Sequence, residues 1–220
     1  MADRTTPSIS SRKQPKQARS ADLVKAILDA AVQVLAKEGA RRFTAARVAE
    51  RAGVSVGSLY QYFPNKAAIL FQLQFDEWRQ TAAMLAGILE DPMRPPLERL
   101  RRLVHAFIKS ECDEAQVRGA LDDTAPLYRD APEARAARAS ADGILQAFIG
   151  EVLPAATAAT RALTCDLITT TLTAVGKEFS NALRSDAEIS AYAEAMADMF
   201  CAYLGTLVNA AASPGARRPR

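Results

Sequence analysis

The chain has 220 residues, of which 49% are apolar and 24% are charged. This composition excludes collagen-like, intrinsically disordered and membrane-spanning classes, and it is sufficient for one or two hydrophobic cores. Only 10 glycines and 11 prolines interrupt the chain, and aromatic residues make up 6% of it, which favours long helices over many short strands. We therefore expect an all-α protein.

The net charge of +3 conceals two segments of opposite sign. Residues 1–66 carry 12 lysines and arginines against 5 acidic side chains, a net charge of +7, whereas residues 67–220 carry 16 against 20, a net charge of −4. The basic segment suits a polyanionic partner, although a solvated basic surface has the same balance. The local pattern has to distinguish these two interpretations.

Few side chains are suited to catalysis, metal binding or disulfide formation. Cys112, Cys165 and Cys201 lie far apart, which predicts neither a disulfide framework nor a zinc knuckle. A single histidine, His105, and the absence of nucleophile-elbow, dinucleotide-binding and P-loop motifs argue against an enzyme, a cofactor or a metal. Without an apolar leader or an 18-residue apolar run, we expect no secretory signal, no membrane association and a cytoplasmic location.

The N-terminal region begins with a polar stretch. Residues 1–19 mix proline, serine, glutamine and five basic side chains, which predicts a disordered arm. A first amphipathic helix is predicted from Ser20, its N-cap, to Gly39, because apolar side chains recur at spacings of three and four residues. The predicted core of the region consists of Ile27, Val34, Phe43, Val48, Leu59 and Phe63.

Two short helices follow and supply partners for the apolar face of the first. Thr44 is the predicted N-cap of a second helix that ends at Gly53. Ser55 is the predicted N-cap of a third helix over residues 56–62, which ends at Phe63-Pro64 because proline disfavours helical geometry in the residue before it. Two short helices joined by a glycine-containing turn, behind a supporting helix, are typical of a helix-turn-helix reader of DNA.

The segment from Thr44 to Leu70 resembles the DNA-binding domain of the TetR family of bacterial transcriptional regulators. That family has the characteristic core G-V-S-x-G-x-[LI]-Y-x-[YH]-F-x-x-K. Every position of the core is present here, in Gly53, Val54, Ser55, Gly57, Leu59, Tyr60, Tyr62, Phe63 and Lys66. The resemblance covers residues 20–70. It implies a homodimeric regulator, a repressor by family habit, that binds a palindromic double-stranded DNA operator and is released by a small-molecule effector.

The resemblance also implies roles for individual residues. It places the third helix in the major groove, with Val56 and Ser58 toward the bases and with Gly57 allowing close approach. The residues expected at phosphates or at the groove edge are Thr44, Ser55, Tyr60, Gln61, Tyr62 and Lys66, with Arg47 as a further candidate. Thr44 and Ser55 have the alternative role of helix caps alone, and Arg47 that of a solvated side chain.

Prolines divide the rest of the chain into further helices. One long helix is predicted from Asn65 to about Glu90, and the next contains Leu97 to Ile108. Further helices are expected around 114–125, 133–153, 160–184 and 187–211, which gives about nine in total. The predicted domains are the arm at 1–19, a helix-turn-helix domain at 20–66, a helical effector-binding and dimerisation domain at 67–212, and a disordered tail at 213–220.

The apolar side chains of the second domain suggest two surfaces. Aromatic and soft side chains predict a ligand pocket, although a stripe at helical spacing also fits a plain core. The pocket candidates are Phe71, Phe75, Trp78, Met84, Phe107, Tyr128 and Phe148, with His105 or Gln146 to orient a ligand. The last two helices have more apolar surface than one packing face needs, which predicts a four-helix dimer interface. The interface candidates are Leu167, Leu172, Val175, Phe179, Tyr192, Met196, Phe200 and Tyr203.

A helical carrier of lipids or acyl groups, with a basic arm that binds membranes or acidic partners, is the second interpretation. It explains the helices and the charge. It does not explain why small residues, tyrosines and Lys66 recur at the DNA-contact spacing of the family. Sequence-selective DNA binding that weakens steeply with salt distinguishes the two interpretations.

Overall fold

The computed structural model describes residues 18–127 and 132–212. Within these ranges the chain forms nine α-helices and one 3₁₀ turn, without strands, which confirms the all-α prediction. The helices are α1 (Ala18–Arg42), α2 (Ala45–Ala52), α3 (Val56–Tyr62), α4 (Lys66–Leu89), α5 (Pro96–Asp113), α6 (Ala115–Thr124), α7 (Pro132–Val152), α8 (Ala158–Ser180) and α9 (Asp186–Ala212), with the 3₁₀ turn at Ala125–Leu127. None of the helices in these ranges is long and apolar enough to cross a membrane.

The first helix begins slightly earlier than predicted. α1 starts at Ala18, so the last two residues assigned to the arm are helical, and Ser20 lies inside the helix instead of being its N-cap. Residues 1–17 and the tail at 213–220 lie outside the described residues. Gly39 breaks the helical backbone inside α1 with φ 72° and ψ 172°, a conformation that costs glycine little and other residues much. The sequence predicted the end of the helix at this glycine.

The described residues divide into two compact units. The first contains α1 to α3, α4 as far as Gln80, and α6 from Gln116. The second contains α4 from Thr81, α5, α7 from Ala139, α8 and α9. Packing therefore groups α6 with the predicted helix-turn-helix, whereas the functional boundary predicted at residue 66 stays a prediction.

The core of the first unit is apolar and involves α1, α2, α3, α4 and α6. The six residues predicted for it are buried, which confirms that prediction: Ile27, Val34, Phe43, Val48, Leu59 and Phe63. Ala120 and Leu121 of α6 belong to the same core. One ion pair joins α6 to α4, where Arg118 Nη2 lies 3.0 Å from Glu77 Oε1 and both side chains are largely shielded from solvent.

The core of the second unit lies between α5, α7, α8 and α9. Leu100, Leu103, Val104 and Ile108 form one buried face of α5. The side chain of Arg99 is buried at the edge of this core, where it donates to the carbonyl of Leu89, pairs with Glu151 and lies 5.4 Å from the ring centroid of Phe148. The guanidinium thus binds a carbonyl of the last turn of α4 that has no partner within the helix.

The crossing of α5 and α8 is close at Gly176. A Cβ atom at this position would lie 3.1 Å from Glu111 Cγ and 3.2 Å from Phe107 Cε1, and Gly176 is buried. Several other helical glycines have open space instead. At Gly87 of α4, a Cβ atom would meet nothing within 4 Å. The absence of a side chain at Gly176 is therefore a packing requirement of the second unit.

Replacing Gly176 with leucine should lower the free energy of unfolding by about 1–3 kcal/mol, because the larger side chain overpacks the α5–α8 contact. Gly87→Ala is the control: with open space around the new methyl group, it should raise the free energy of unfolding by about 0.5–1 kcal/mol through the helix propensity of alanine. Urea unfolding followed by circular dichroism, at one protein concentration, measures both. Equal stability of Gly176→Leu and wild type would contradict the packing argument.

Candidate nucleic-acid interface

The second helix has the two termini that its sequence predicts. Thr44 is extended (φ −137°, ψ 150°), and its Oγ1 accepts a hydrogen bond of 3.3 Å from the backbone N–H of Arg47. Gly53 ends α2 in the left-handed region with φ 68°, and the N–H of Val54 donates to the carbonyl of Ala49 at 3.0 Å. The backbone conformation alone therefore favours glycine at position 53.

The third helix is capped in the same way. Ser55 Oγ accepts a hydrogen bond of 3.0 Å from the N–H of Ser58, and the two hydroxyl oxygens lie 2.8 Å apart. α3 ends at Tyr62, and Phe63 adopts extended backbone before Pro64. Asn65 Oδ1 then accepts from the N–H of Ala68 at 2.9 Å and caps α4. The predicted caps of α2, α3 and α4 are all confirmed.

α3 has one buried and one exposed face. Leu59 and Tyr62 are buried in the core of the first unit. Four residues at spacings of one and four form the exposed face: Val56, Gly57, Tyr60 and Gln61, of which Val56 is 39% and Tyr60 42% exposed. The apolar and aromatic side chains on this face of α3 therefore do not contribute to the core of the first unit.

The candidate DNA-contact residues of the first unit differ in how much of their surface is exposed. Lys66, Arg41 and Arg42 are exposed and make no ion pair within residues 18–127 and 132–212. Tyr62, predicted at a phosphate, is only 7% exposed, so little of its surface is open to a partner. Ser58, predicted at a base, is half-buried.

Arg47 has a partner that the sequence analysis missed. Its guanidinium contacts the carboxylate of Glu38 on α1, and Arg51 Nε donates to Gln33 Oε1 at 2.7 Å. These pairs are separated by 9 and 18 residues in the chain, and only the packing of α1 on α2 brings them together. No local sequence pattern signals contacts of this kind.

The predicted pocket residues lie in both units. Phe71, Phe75 and Trp78 pack in or against the core of the first unit, whereas Phe107 and Phe148 belong to that of the second. Met84 and Gln146 also fall in the second unit, half-buried and exposed respectively. Tyr128 lies outside the described residues. The pocket stays a prediction.

The contacts of the histidine and the pKa shifts of two cysteines do not indicate a reactive site. His105 Nε2 lies 2.7 Å from Glu194 Oε2, so this ring contacts a carboxylate of α9. Burial raises the pKa of the Cys112 and Cys201 thiols, which disfavours a reactive thiolate at either position. In the part of the chain that the structure describes, no three His, Cys, Asp or Glu side chains are grouped to hold a metal ion.

The predicted dimer residues divide into three sets by their exposure. Leu172, Met196 and Phe200 are buried in the core of their own unit, so they pack within one subunit. Leu167 and Tyr192 are exposed. The remaining candidates are half-buried: Val175, Phe179 and Tyr203. Additional exposed apolar side chains that the sequence analysis did not select are Leu163 on α8 and Met199 on α9.

The first unit thus contains a capped helix, a glycine turn and a short helix with one exposed face, and these share a core with the preceding helix. This arrangement defines the helix-turn-helix class of DNA-binding proteins. Two family models match the chain. Residues 27–73 match the "Bacterial regulatory proteins, tetR family" model, and residues 95–207, just over half of the chain, match the "Tetracyclin repressor-like, C-terminal domain" model. The chain belongs to the TetR family of bacterial transcriptional regulators.

Individual relatives are similar over part of the chain. The nucleoid occlusion factor SlmA of Vibrio campbellii is 39% identical over 85 residues, which are 37% of this chain and 42% of SlmA. The HTH-type transcriptional repressor KstR of Rhodococcus jostii is 34% identical over 86 residues, 39% of each chain. The matched segment thus spans less than half the length of these relatives.

A solved structure is similar over most of the chain. The transcriptional regulator FadR from Bacillus subtilis, in complex with stearoyl-CoA, superposes with a TM-score of 0.60 and 18% identity over 86% of this chain and 97% of FadR. At this identity the likeness shows the fold. Family and fold are those of transcriptional regulators rather than of enzymes.

Replacing Ser55 with alanine should lower the free energy of unfolding by about 1 kcal/mol, because the N–H of Ser58 loses its side-chain acceptor. Ser55→Asp retains an acceptor and should stay close to wild type. The control is Ser190→Ala, an exposed serine inside α9, where no loss is expected. Urea unfolding compares the three variants, and an unchanged stability of Ser55→Ala would show that the cap contributes little.

Proposed function

We propose that the protein is a repressor that binds a palindromic operator as a homodimer through α3 and leaves it when a small-molecule effector binds the C-terminal helical region. The observation that carries the proposal is the exposed face of α3, where Val56, Gly57, Tyr60 and Gln61 lie on the side opposite Leu59. A short helix anchored on one face and open on the other fits the major groove.

Gly57 supports this role because the fold itself does not require glycine there. Its φ is not positive, and a Cβ atom would meet only Ser55 Oγ, at 3.7 Å. A side chain at position 57 would therefore project outward from the unit. Its absence matters to a surface that approaches α3 closely, as the floor of a DNA groove does. Val56 and Ser58, on either side of it, are proposed to contact bases.

Phosphate contacts are proposed for Thr44, Ser55 and Lys66, at the starts of α2, α3 and α4, and for Tyr60, Gln61 and Tyr62, in the last turn of α3. Of these residues Tyr62 offers the least surface, because it is only 7% exposed. Thr44 and Ser55 are caps, and each hydroxyl group still carries a hydrogen that can be donated to a phosphate oxygen. Lys66 adds a solvated positive charge at the start of α4. Arg47 is left out of this set because Glu38 pairs with its guanidinium.

Exposed apolar surface on α8 and α9 supports the homodimer. Leu163 and Leu167 are one turn apart on α8 and are 61% and 43% exposed, and Met199 on α9 is 51% exposed. Burying these side chains against a second copy would remove apolar area from water. A two-fold dimer also reads two half-sites at fixed spacing, which gives one short recognition helix sufficient specificity.

The effector is proposed to be a small molecule with a large apolar part. The support is the similarity to FadR, whose structure contains stearoyl-CoA, so this compound is the first probe. An effector acts only through its different affinity for the DNA-binding and released states. Regulation of this kind is proposed to take place in the cytoplasm.

The experiment that tests the function is selection of bound duplexes from a random DNA pool at roughly physiological salt, followed by sequencing and stoichiometry on the best site. An enriched palindrome that binds two subunits supports the proposal, and release of that DNA by stearoyl-CoA supports the effector class. Failure to enrich any sequence, together with binding to anionic vesicles, would favour the helical carrier of lipids or acyl groups.

Lys66→Ala should weaken binding to all DNA sequences alike. It should also reduce the slope of log affinity against log salt by about 0.9 for each subunit, because one phosphate contact is lost. The control is Lys109→Ala, which removes an exposed lysine from α5 in the second unit. Fluorescence anisotropy across a salt series measures both slopes, and an unchanged slope for Lys66→Ala would refute the contact.

Leu167→Glu should weaken dimerisation by on the order of a hundredfold, because two unpaired charges per dimer would be buried at the two-fold interface. Leu183→Glu introduces the same charge at a fully exposed leucine between α8 and α9 and should leave dimerisation intact. Sedimentation equilibrium measures the two dissociation constants. Equal effects of the two variants would place the interface elsewhere.

A further inference from the structure

Two polar contacts hold α2 against α1 beside the apolar core of the first unit. The Arg47 guanidinium contacts the Glu38 carboxylate, and Arg51 pairs with Gln33. Arg47 lies in the first turn of α2, and this helix crosses the DNA backbone in helix-turn-helix readers. The positive charge of Arg47 thus lies in the part of the unit that is expected to approach phosphate, but the carboxylate of Glu38 already balances this charge.

The Glu38 side chain as a whole is 31% exposed, but one of its two oxygens is shielded from solvent. Glu38 Oε2 is buried, and among the described residues it has no hydrogen-bond donor of good geometry, so the charge of Arg47 is what compensates it. Leaving a buried carboxylate oxygen uncompensated costs more than an exposed cation gains at a solvated phosphate. The Arg47 side chain is 42% exposed, so its other side is open to solvent and to a ligand.

We propose that Glu38 competes with DNA phosphate for Arg47 and thereby limits the affinity and the salt dependence of operator binding. The inference rests on the proposed function, because it concerns how strongly the same DNA-binding unit holds the DNA backbone. Glu38 takes the place of a phosphate, and one backbone contact per subunit is withheld. Lys66, which makes no ion pair in the described part of the chain, is not restrained in this way.

Two substitutions, one at Glu38 and one at Arg47, test the proposed competition. Glu38→Gln removes the carboxylate charge, so the freed Arg47 should add one phosphate contact per subunit. The slope of log affinity against log salt should then steepen by about 0.9 per contact, and the affinity at about 50 mM salt should rise roughly two- to fivefold per contact. Arg47→Gln should leave the slope at its wild-type value, because this cation does not contact DNA in the wild-type protein.

A second ion pair supplies matched controls. Lys109 Nζ lies 3.1 Å from Asp113 Oδ1 in an exposed pair of the second unit. Asp113→Asn and Lys109→Gln reproduce the two changes in net charge without changing α2, and neither should change the slope. The double variant Glu38→Gln/Arg47→Gln should return to the wild-type slope, since the added contact comes from Arg47. Thermal unfolding of each variant establishes that it is folded before its slope is measured.

The outcomes separate this proposal from the proposed function. If the slope of Glu38→Gln equals that of Asp113→Asn, or if Arg47→Gln lowers the slope by about 0.9 per subunit, the competition does not exist. In the second case Arg47 contacts phosphate in the wild-type protein. If the wild-type protein itself shows no sequence-selective DNA binding, the proposed function fails instead. If Glu38→Gln does not fold, Glu38→Ala takes its place, with the same expected change in slope.

Discussion

The burial of Phe43, Leu59 and Phe63 in the core shared by α1, α2, α3 and α4 is the constraint on which the DNA-binding unit depends. α2 and α3 have only eight and seven residues, too few to be stable alone in water, so their helical form comes from packing rather than from propensity. The same burial fixes which face of α3 is turned outward. The exposed face is thus a consequence of core packing.

Polar contacts stabilise the helix starts of the first unit and the contact between α1 and α2. Caps at Thr44, Ser55 and Asn65 satisfy backbone N–H groups at the start of each helix, and the Glu38–Arg47 pair joins α1 to α2. Caps contribute about 1 kcal/mol each, and an ion pair at a surface contributes less unless one partner is buried. One oxygen of Glu38 is buried, while its side chain as a whole is 31% exposed, so the pair lies partly in solvent.

The second unit is built differently, around long helices that polar contacts join, such as the ion pairs of Arg101 on α5 with Glu194 and Asp198 on α9. Gly176 allows α5 and α8 to approach closely, and buried Arg99 joins the end of α4 to α7 through Leu89 and Glu151. Its exposed apolar side chains on α8 and α9, such as Leu167, are unused by the core of one subunit. Each unit therefore has exposed surface that its own core does not use, namely apolar side chains of α8 and α9 in the second unit and one face of α3 in the first.

The sequence by itself determined the caps of α2, α3 and α4 and six core residues of the first unit, because apolar spacing, Gly53 and Pro64 act on neighbouring residues within the chain. Tertiary structure alone decided that α6 packs with the helix-turn-helix, that Met196 and Phe200 are core residues, and that Glu38 pairs with Arg47. These contacts join residues that are distant in the chain, and the sequence does not indicate them because helical periodicity predicts only which face of a helix is buried. Which partner covers that face depends on how the helices pack.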